Sequence, residues 1–274
     1  MLTHQQILHF TTFGYVVLRG LFSQPEMAAL RGEVTSALAD AFGPTGTEPV
    51  PCDGISGDYL PLAVDRAPFS QSLIADDGRT LLVSAELLGG PTVPSPGIAT
   101  RFTGDSAWHT RLGPAIPGVT IWADLDRRTA RTGALRFVPG SHIPEYERTV
   151  WAYSGAEPDA SGFAQPDWPE WPHVVIETEP GDVAAFHSHL FTCVRGGAPR
   201  LTWTIEYLPW PGLGDPDRMR LVRDMTVDDI ELTRGEYDED RWPAWREWAA
   251  GAARSPSRAL AVERLRLLGV LADG

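Results

Sequence analysis

His109 and Arg111 stand two residues apart in the segment Gly104-Asp105-Ser106-Ala107-Trp108-His109-Thr110-Arg111. In an extended strand that spacing puts both side chains on one face. An imidazole with an ordinary pKa near ~6.5 can take or give a proton close to neutrality. A guanidinium is always cationic and can stabilise negative charge developing on an enolate or carboxylate. The pair therefore holds the parts of a general acid/base and electrostatic site. Other chemistries are excluded by what the chain lacks. All 23 basic residues are arginine, so there is no Schiff-base, P-loop or kinase-type lysine. Two cysteines, Cys52 and Cys193, cannot build a disulfide scaffold or a four-cysteine metal site, and read as reduced thiols.

The elements that would position such residues follow from periodicity. Thr3 to Gln6 and Ser23 to Glu26 have capping-box spacing, each before a helical apolar pattern, the second with Met27, Leu30, Val34 and Leu38. Between them Tyr15-Val16-Val17-Leu18 reads as a short strand after Gly14. Residues 43–70, rich in Gly, Pro and Asp, read as a long irregular loop, and 79–89 as a short helix. From about 92 to 210 β-prone stretches recur at 119–125, 134–138, 173–178, 183–187 and 201–208, with residues 151–172 as an insertion. After about 225 the pattern is helical, with a start at Ser255-Pro256 and an apolar stripe of Leu260, Leu265, Leu268 and Leu271. The expectation is one domain over 1–274: a β core at about 92–210, flanked by helical segments 1–90 and 225–274.

The 274 residues carry a net charge of −13. That argues against nucleic acid and against anionic membrane. No apolar run has the length of a membrane span, and the first residues lack the signature of a signal peptide, so the expected location is cytoplasmic. The oligomeric state is not legible.

Three segments carry a family resemblance. They are Gly104 to Arg111; Thr132-Gly133-Ala134-Leu135-Arg136-Phe137-Val138-Pro139-Gly140-Ser141-His142; and Pro180-Gly181-Asp182-Val183-Ala184-Ala185-Phe186-His187-Ser188, continuing to Arg200-Leu201-Thr202-Trp203-Thr204. In this order they resemble the phytanoyl-CoA dioxygenase (PhyH-like) family of iron(II)/2-oxoglutarate oxygenases, as does the opening Phe13 to Phe22. The resemblance spans roughly residues 1–210. It implies a double-stranded β-helix, a cupin-like jelly roll with helices outside. It also implies iron held by His-x-Asp/Glu and a distant His, which leaves open positions for 2-oxoglutarate and dioxygen, and an arginine that pairs with the far carboxylate of 2-oxoglutarate.

The chain departs from that pattern. His109 matches the first ligand, Arg111 stands where the carboxylate belongs, and Thr192 where the second His belongs. Arg200 matches the 2-oxoglutarate arginine, and Thr204 its companion hydroxyl. A guanidinium repels a divalent cation, and threonine is a poor ligand for iron. The expectation is therefore a degenerate triad with no metal ligands and no cofactor, the alternative being Fe(II) with 2-oxoglutarate through a shifted ligand such as His189. Strand alternation opposes that shift unless a bulge intervenes.

Of the other histidines, His142 and His187 read as structural and His4 and His9 as solvent-facing. Trp122 and Trp203 are candidates to line the pocket, with Trp108 beside His109, while Trp242, Trp245 and Trp248 read as packing. Asp124 and Asp126 are weighed as displaced metal carboxylates, but at a strand end before Arg127-Arg128 they read as turn or salt-bridge residues, and the acidic run from Asp228 to Asp240 as a solvated face. The function expected is tailoring of an anionic or polar small molecule in biosynthesis. The chemistry would be a metal-independent, non-oxidative cyclisation, isomerisation, elimination or addition. His109 and Arg111 would be catalytic, and Arg200, Thr204, Thr192, Trp108, Trp122, Trp203 and His189 would bind substrate. The alternatives are a 2-oxoglutarate-dependent hydroxylase and a non-catalytic binding protein.

Overall fold

In the computed structural model the residues described are 1–43, 57–110, 116–154, 171–196, 199–231, 237–238, 240–243 and 245–272. Helix α1 (His4–Phe13) opens on its capping box at Thr3 and ends where Gly14 turns left-handed. Strand β1 (Tyr15–Leu18) follows, then α2 (Gln24–Phe42), which starts on the Ser23–Glu26 capping box and buries Met27, Leu30, Val34 and Leu38. Next come β2 (Gly57–Pro61), α3 (Pro68–Ala75), α4 (Arg79–Leu88), β3 (Thr92–Pro94) and β4 (Ile98–Phe102). The core continues through β5 (Val119–Asp124), β6 (Leu135–Phe137), α5 (Pro144–Ser154), β7 (Val174–Ile176), β8 (Val183–His187), β9 (Thr192–Val194) and β10 (Arg200–Pro209). Helices α6 (Pro216–Glu231), α7 (Arg246–Ala250) and α8 (Pro256–Leu267) close the chain.

Two antiparallel sheets face one another as a jelly roll. The large sheet runs β1-β8-β5-β10-β4-β2, with β3 also on β10, and the small sheet runs β7-β6-β9. The outer face of the large sheet is covered by helices from both ends of the chain. Trp203, Ile205 and Tyr207 of β10 share one core there with Leu30 and Val34 of α2, Leu73 of α3, Trp242 and Trp245 of the loop before α7, Trp248 of α7 and Leu265 of α8. The three tryptophans therefore pack, as read. The region between the sheets is filled by a second cluster: Trp122, Leu135, Phe137, Ile176, Ala184, Phe186, Leu190 and Val194.

Several expectations are corrected. The stretch 43–70 is not one loop: residues 57–61 pair with β4 and Pro68–Ala75 is helical, while residues 44–56, with Cys52, lie outside the described residues. Gly57 is there for close packing, since a Cβ would meet Phe102 Cδ1 at 2.5 Å and Arg101 O at 2.9 Å. Residues 151–154 of the supposed insertion belong to α5, and 155–170 are outside the description. The closing helical region begins at Pro216, not near 225. In α8 the buried face is Arg258, Ala261, Val262 and Leu265, while Leu260 is exposed. His9 is half-buried against Phe13 and Tyr15 rather than solvent-facing. Cys193 is buried. Residues 232–236 and 239 of the acidic run lie outside the described residues. No helix among the described residues is long and apolar enough to cross a membrane.

Candidate functional site

The segment before β5 edges the small sheet. His109 N–H donates to Thr192 O at 2.9 Å, and Thr192 N–H returns a bond to His109 O at 2.8 Å. Such a doubly bonded antiparallel pair sets its two side chains next to each other on one face. Thr192 also pairs with Phe137, whose ring lies in the cluster between the sheets, so His109 and Thr192 face the interior. Alternation sends their neighbours the other way. Trp108 and Cys193 pack with Val138, Val150 and Phe191 on the outside of the small sheet. Trp108 is thus a packing residue, which corrects its place in the expected binding set. His109 Nδ1 lies 2.9 Å from Ala107 O. A carbonyl only accepts, so Nδ1 carries the proton and Nε2 is the basic nitrogen.

The facing wall comes from the large sheet. Arg200, Thr202, Thr204 and Glu206 of β10 share its inner face and are all buried. Arg200 Nη1 donates to Gly104 O at 2.8 Å, at the start of the segment that leads to His109. Its guanidinium lies over the Phe102 ring, 5.7 Å from the centroid. Gly133 makes room for it: with φ +91°, a Cβ there would meet Arg200 Cδ at 2.6 Å. Thr204 pairs with Trp122 of β5, placing the indole on the same inner face. Trp122 Nε1 donates to Asp124 at 3.0 Å, and Thr178 Oγ1 to the other carboxylate oxygen at 2.8 Å. Burial pushes the Asp124 carboxyl up, against those two donors and the charges of Arg128 and Arg200. Sequence reasoning missed Asp124 as an interior residue. Its one cue was the inward register of Trp122, two positions earlier.

Of the expected site residues, the fold gathers His109 and Thr192 on one inner wall, and Arg200, Thr204 and Trp122 on the other. Trp203 is not among them. It points to the outer face, buried under α3, and donates to Ser70 Oγ at 2.7 Å. His189 is placed apart from the Thr192 wall, its ring edge-on to His187 at 5.1 Å, and His187 in turn stacks on His142 at 5.0 Å. Burial, and behind it the His189 and His142 rings, pushes the His187 imidazole down to about 3. Arg111 lies outside the described residues.

Iron in this fold needs three donors converging on one face. Thr192 offers only a hydroxyl, 3.5 Å from His109 O. Among the described residues no group of three or more His, Cys, Asp or Glu is arranged to hold a metal ion. The donors described here do not fit an iron centre of the usual kind.

Residues 10–191 match the model of the phytanoyl-CoA dioxygenase (PhyH) family. Among solved structures, the fold is similar to the epimerase SnoN in complex with Fe3+, alpha ketoglutarate and nogalamycin RO, at 19% identity. That match covers 77% of this chain and 91% of SnoN, with a TM-score of 0.58. The non-heme alpha ketoglutarate dependent carbocyclase SnoK from nogalamycin biosynthesis matches at 18% identity over 80% of this chain and 90% of its own, TM-score 0.59. EvdO2 from Micromonospora carbonacea var. aurantiaca, complexed with 2-oxoglutarate, matches at 17% identity over 79% and 95%, TM-score 0.55. No curated protein matches in sequence. The chain belongs to the phytanoyl-CoA dioxygenase family, and its structural neighbours include enzymes that tailor natural products.

Proposed function

We propose that this member of the phytanoyl-CoA dioxygenase family tailors a small natural-product intermediate by non-oxidative chemistry that does not depend on iron. The observation that carries this reading is the register pair His109–Thr192: one wall of the former metal position keeps an imidazole and presents a hydroxyl where a second imidazole belongs. Two structural neighbours are an epimerase and a carbocyclase, both non-heme and alpha ketoglutarate dependent. They support rearrangement of a natural product as the outcome, and isomerisation and ring closure are also within reach of proton transfer, the route proposed for this chain.

In this scheme Arg200 and Thr204 hold a carboxylate or similar anion of the substrate. Trp122 covers one side of it and excludes water. His109 Nε2 removes or returns a proton, its tautomer fixed by the Ala107 carbonyl. Arg111, two residues beyond His109 in the sequence, supplies a fixed positive charge to the negative charge that develops on the substrate. The protein acts as a single domain, without nucleic acid or membrane as partner, in the cytoplasm. Anaerobic reconstitution with iron(II) followed by elemental analysis tests the reading. The expected result is no stoichiometric iron. About one iron per chain, lost in His109→Ala, overturns it. A second arm uses Arg111→Asp, where native turnover is expected to fall by roughly 10²-fold, the usual cost of one preorganised charge-stabilising group. Near-native turnover would remove Arg111 from the mechanism.

A further inference from the structure

The inward residues of β2, β4 and β10 line up in rows across the large sheet. Gly57 lies across from Phe102 and Phe102 from Arg200; in the next row Tyr59 lies across from Thr100 and Thr100 from Thr202. The missing side chain at Gly57 lets the Phe102 ring lean over β2, since a Cβ there would meet Phe102 Cδ1 at 2.5 Å. Tyr59, two residues on, meets that ring edge-to-face, with centroids 5.3 Å apart and planes at 85°. The same Phe102 ring carries the Arg200 guanidinium, 5.7 Å from its centroid. Cation, ring and ring thus form one continuous contact from β10 to β2 at the sheet edge. The rows are unequally buried. Tyr59 and Phe102 are half-buried, whereas Ile98 and Thr204 in the following row are buried, as is Glu206 beyond them. Solvent therefore reaches the inner face at its β2–β4 corner, beside Arg200.

We infer that Tyr59 and Phe102 are an aromatic side wall of the Arg200 subsite and select a carboxylate borne on an aromatic ring. This rests on the reading that Arg200 binds a substrate carboxylate. Stacking on Phe102 uses the face of the guanidinium, while a carboxylate is gripped in its plane, along the fork of N–H donors. In an aryl carboxylate the ring shares the plane of the carboxylate. It leaves Arg200 as a flat surface that can meet the two side-wall rings in the offset or T-shaped arrangements such rings favour. A saturated ring of the same size is puckered, has no quadrupole and gains only from the burial of its surface. A short aliphatic dicarboxylate gains less still, because it brings its second charge against rings rather than donors.

NMR titration of the full chain with benzoate and with cyclohexanecarboxylate, following the ligand signals, tests the inference. The unmodified protein is expected to bind benzoate about three- to tenfold more tightly, the range that an aromatic pair contributes beyond burial. Tyr59→Leu keeps an apolar side chain at the accessible sheet edge and should erase the preference. Tyr59→Phe should keep it, since the ring and not the hydroxyl is used. Equal binding of the two ligands by the unmodified chain, or a preference that survives in Tyr59→Leu, overturns the inference. Phe102→Leu is the second variant, in case Tyr59→Leu fails to fold; it too should erase the preference, and a preference that persists there overturns the inference. Arg200→Ala separates the two readings, with 2-oxoglutarate as a third ligand. If Arg200→Ala binds all three as the unmodified chain does, the carboxylate reading of Arg200 is wrong. If it loses them while Tyr59→Leu keeps the preference, only the side wall falls. The side wall alone also falls if the unmodified chain binds 2-oxoglutarate through Arg200 but no benzoate. A chain that binds none of the three overturns both readings.

Discussion

The two faces of β10 are both buried and carry opposite chemistry. Leu201, Trp203, Ile205 and Tyr207 point outward under the helices, and Arg200, Thr202, Thr204 and Glu206 point inward between the sheets. The outward set joins one apolar core built by helices from both ends of the chain. The inward set gains little from the hydrophobic effect and must be satisfied bond by bond: Arg200 on Gly104, Thr202 on Thr100, Glu206 on Thr120. Burying such groups stabilises a fold poorly. The outer face of β10 thus holds the molecule together by apolar packing, while its inner row is polar beside the apolar cluster between the sheets, and this row carries the proposed ligand site.

The comparison predicts its own largest effect. Trp203→Ala empties a fully buried site and leaves Ser70 without its indole donor, and is expected to cost about 3–5 kcal/mol. Denaturant unfolding measures it. Thr204→Val, its neighbour on the inner face, should leave stability within about 1–2 kcal/mol and act on ligand binding instead. Comparable losses at both positions would erase the distinction between the faces.

The next effect concerns a histidine seam on the outer face. His187 ends β8 on the helix side, near Phe10 of α1, between His142 and His189. Folded, its imidazole stays neutral down to about 3. In the unfolded chain it protonates below about 6.5. Between those values the unfolded state binds the extra proton, so stability rises with pH, and acid removes it at up to about 1.4 kcal/mol per pH unit. His142, pushed down by the same burial, adds to the slope. Stability measured from pH 7 to pH 4.5 should fall along this line, and His187→Gln should flatten it by about one proton. An unchanged slope in His187→Gln would place the acid sensitivity elsewhere.

How far the sequence could be read follows the same two faces. Capping boxes and period-two runs are local signals, so α1, β1, α2 and the five long β stretches were legible from Thr3, Ser23 and their apolar patterns. A strand buried on both sides gives no sign of which side is the interior. For that reason Trp203 and Trp108 were expected in the pocket, and one residue of alternation sends each the other way. Non-local partners were equally invisible. Asp124 looked like a turn residue because Thr178, which bonds it, comes 54 positions later. Strand β2 was hidden because Gly57, whose smallness lets it lie against Phe102, reads in sequence as loop material. Within the candidate site, the motif segments led to residues that the fold brings together, His109 beside Thr192 and Arg200 with Thr204 on one face of β10, since a register pair and a strand face are local consequences of such segments.

The smallest expected effect is the sharpest test of the two-face reading. Thr100 and Thr202 lie across from each other on β4 and β10, both buried, their hydroxyls bonded to one another. If the inner face is polar for a ligand and not for the fold, this pair should be dispensable as a pair and costly only when split. Thr202→Val removes one hydroxyl and leaves the other buried without its partner, which should cost about 1–3 kcal/mol, the desolvation penalty of an unpaired polar group. Thr100→Val with Thr202→Val removes both and substitutes methyl groups of nearly the same shape. The double variant should therefore recover most of that loss and sit within about 0.5 kcal/mol of the starting protein. Urea unfolding of the single and double variants closes the cycle. A double variant as unstable as the sum of its singles would mean that the hydroxyl pair itself supports the sheet. The inner face would then be structural as well as ligand-facing, and the contrast drawn along β10 would fail.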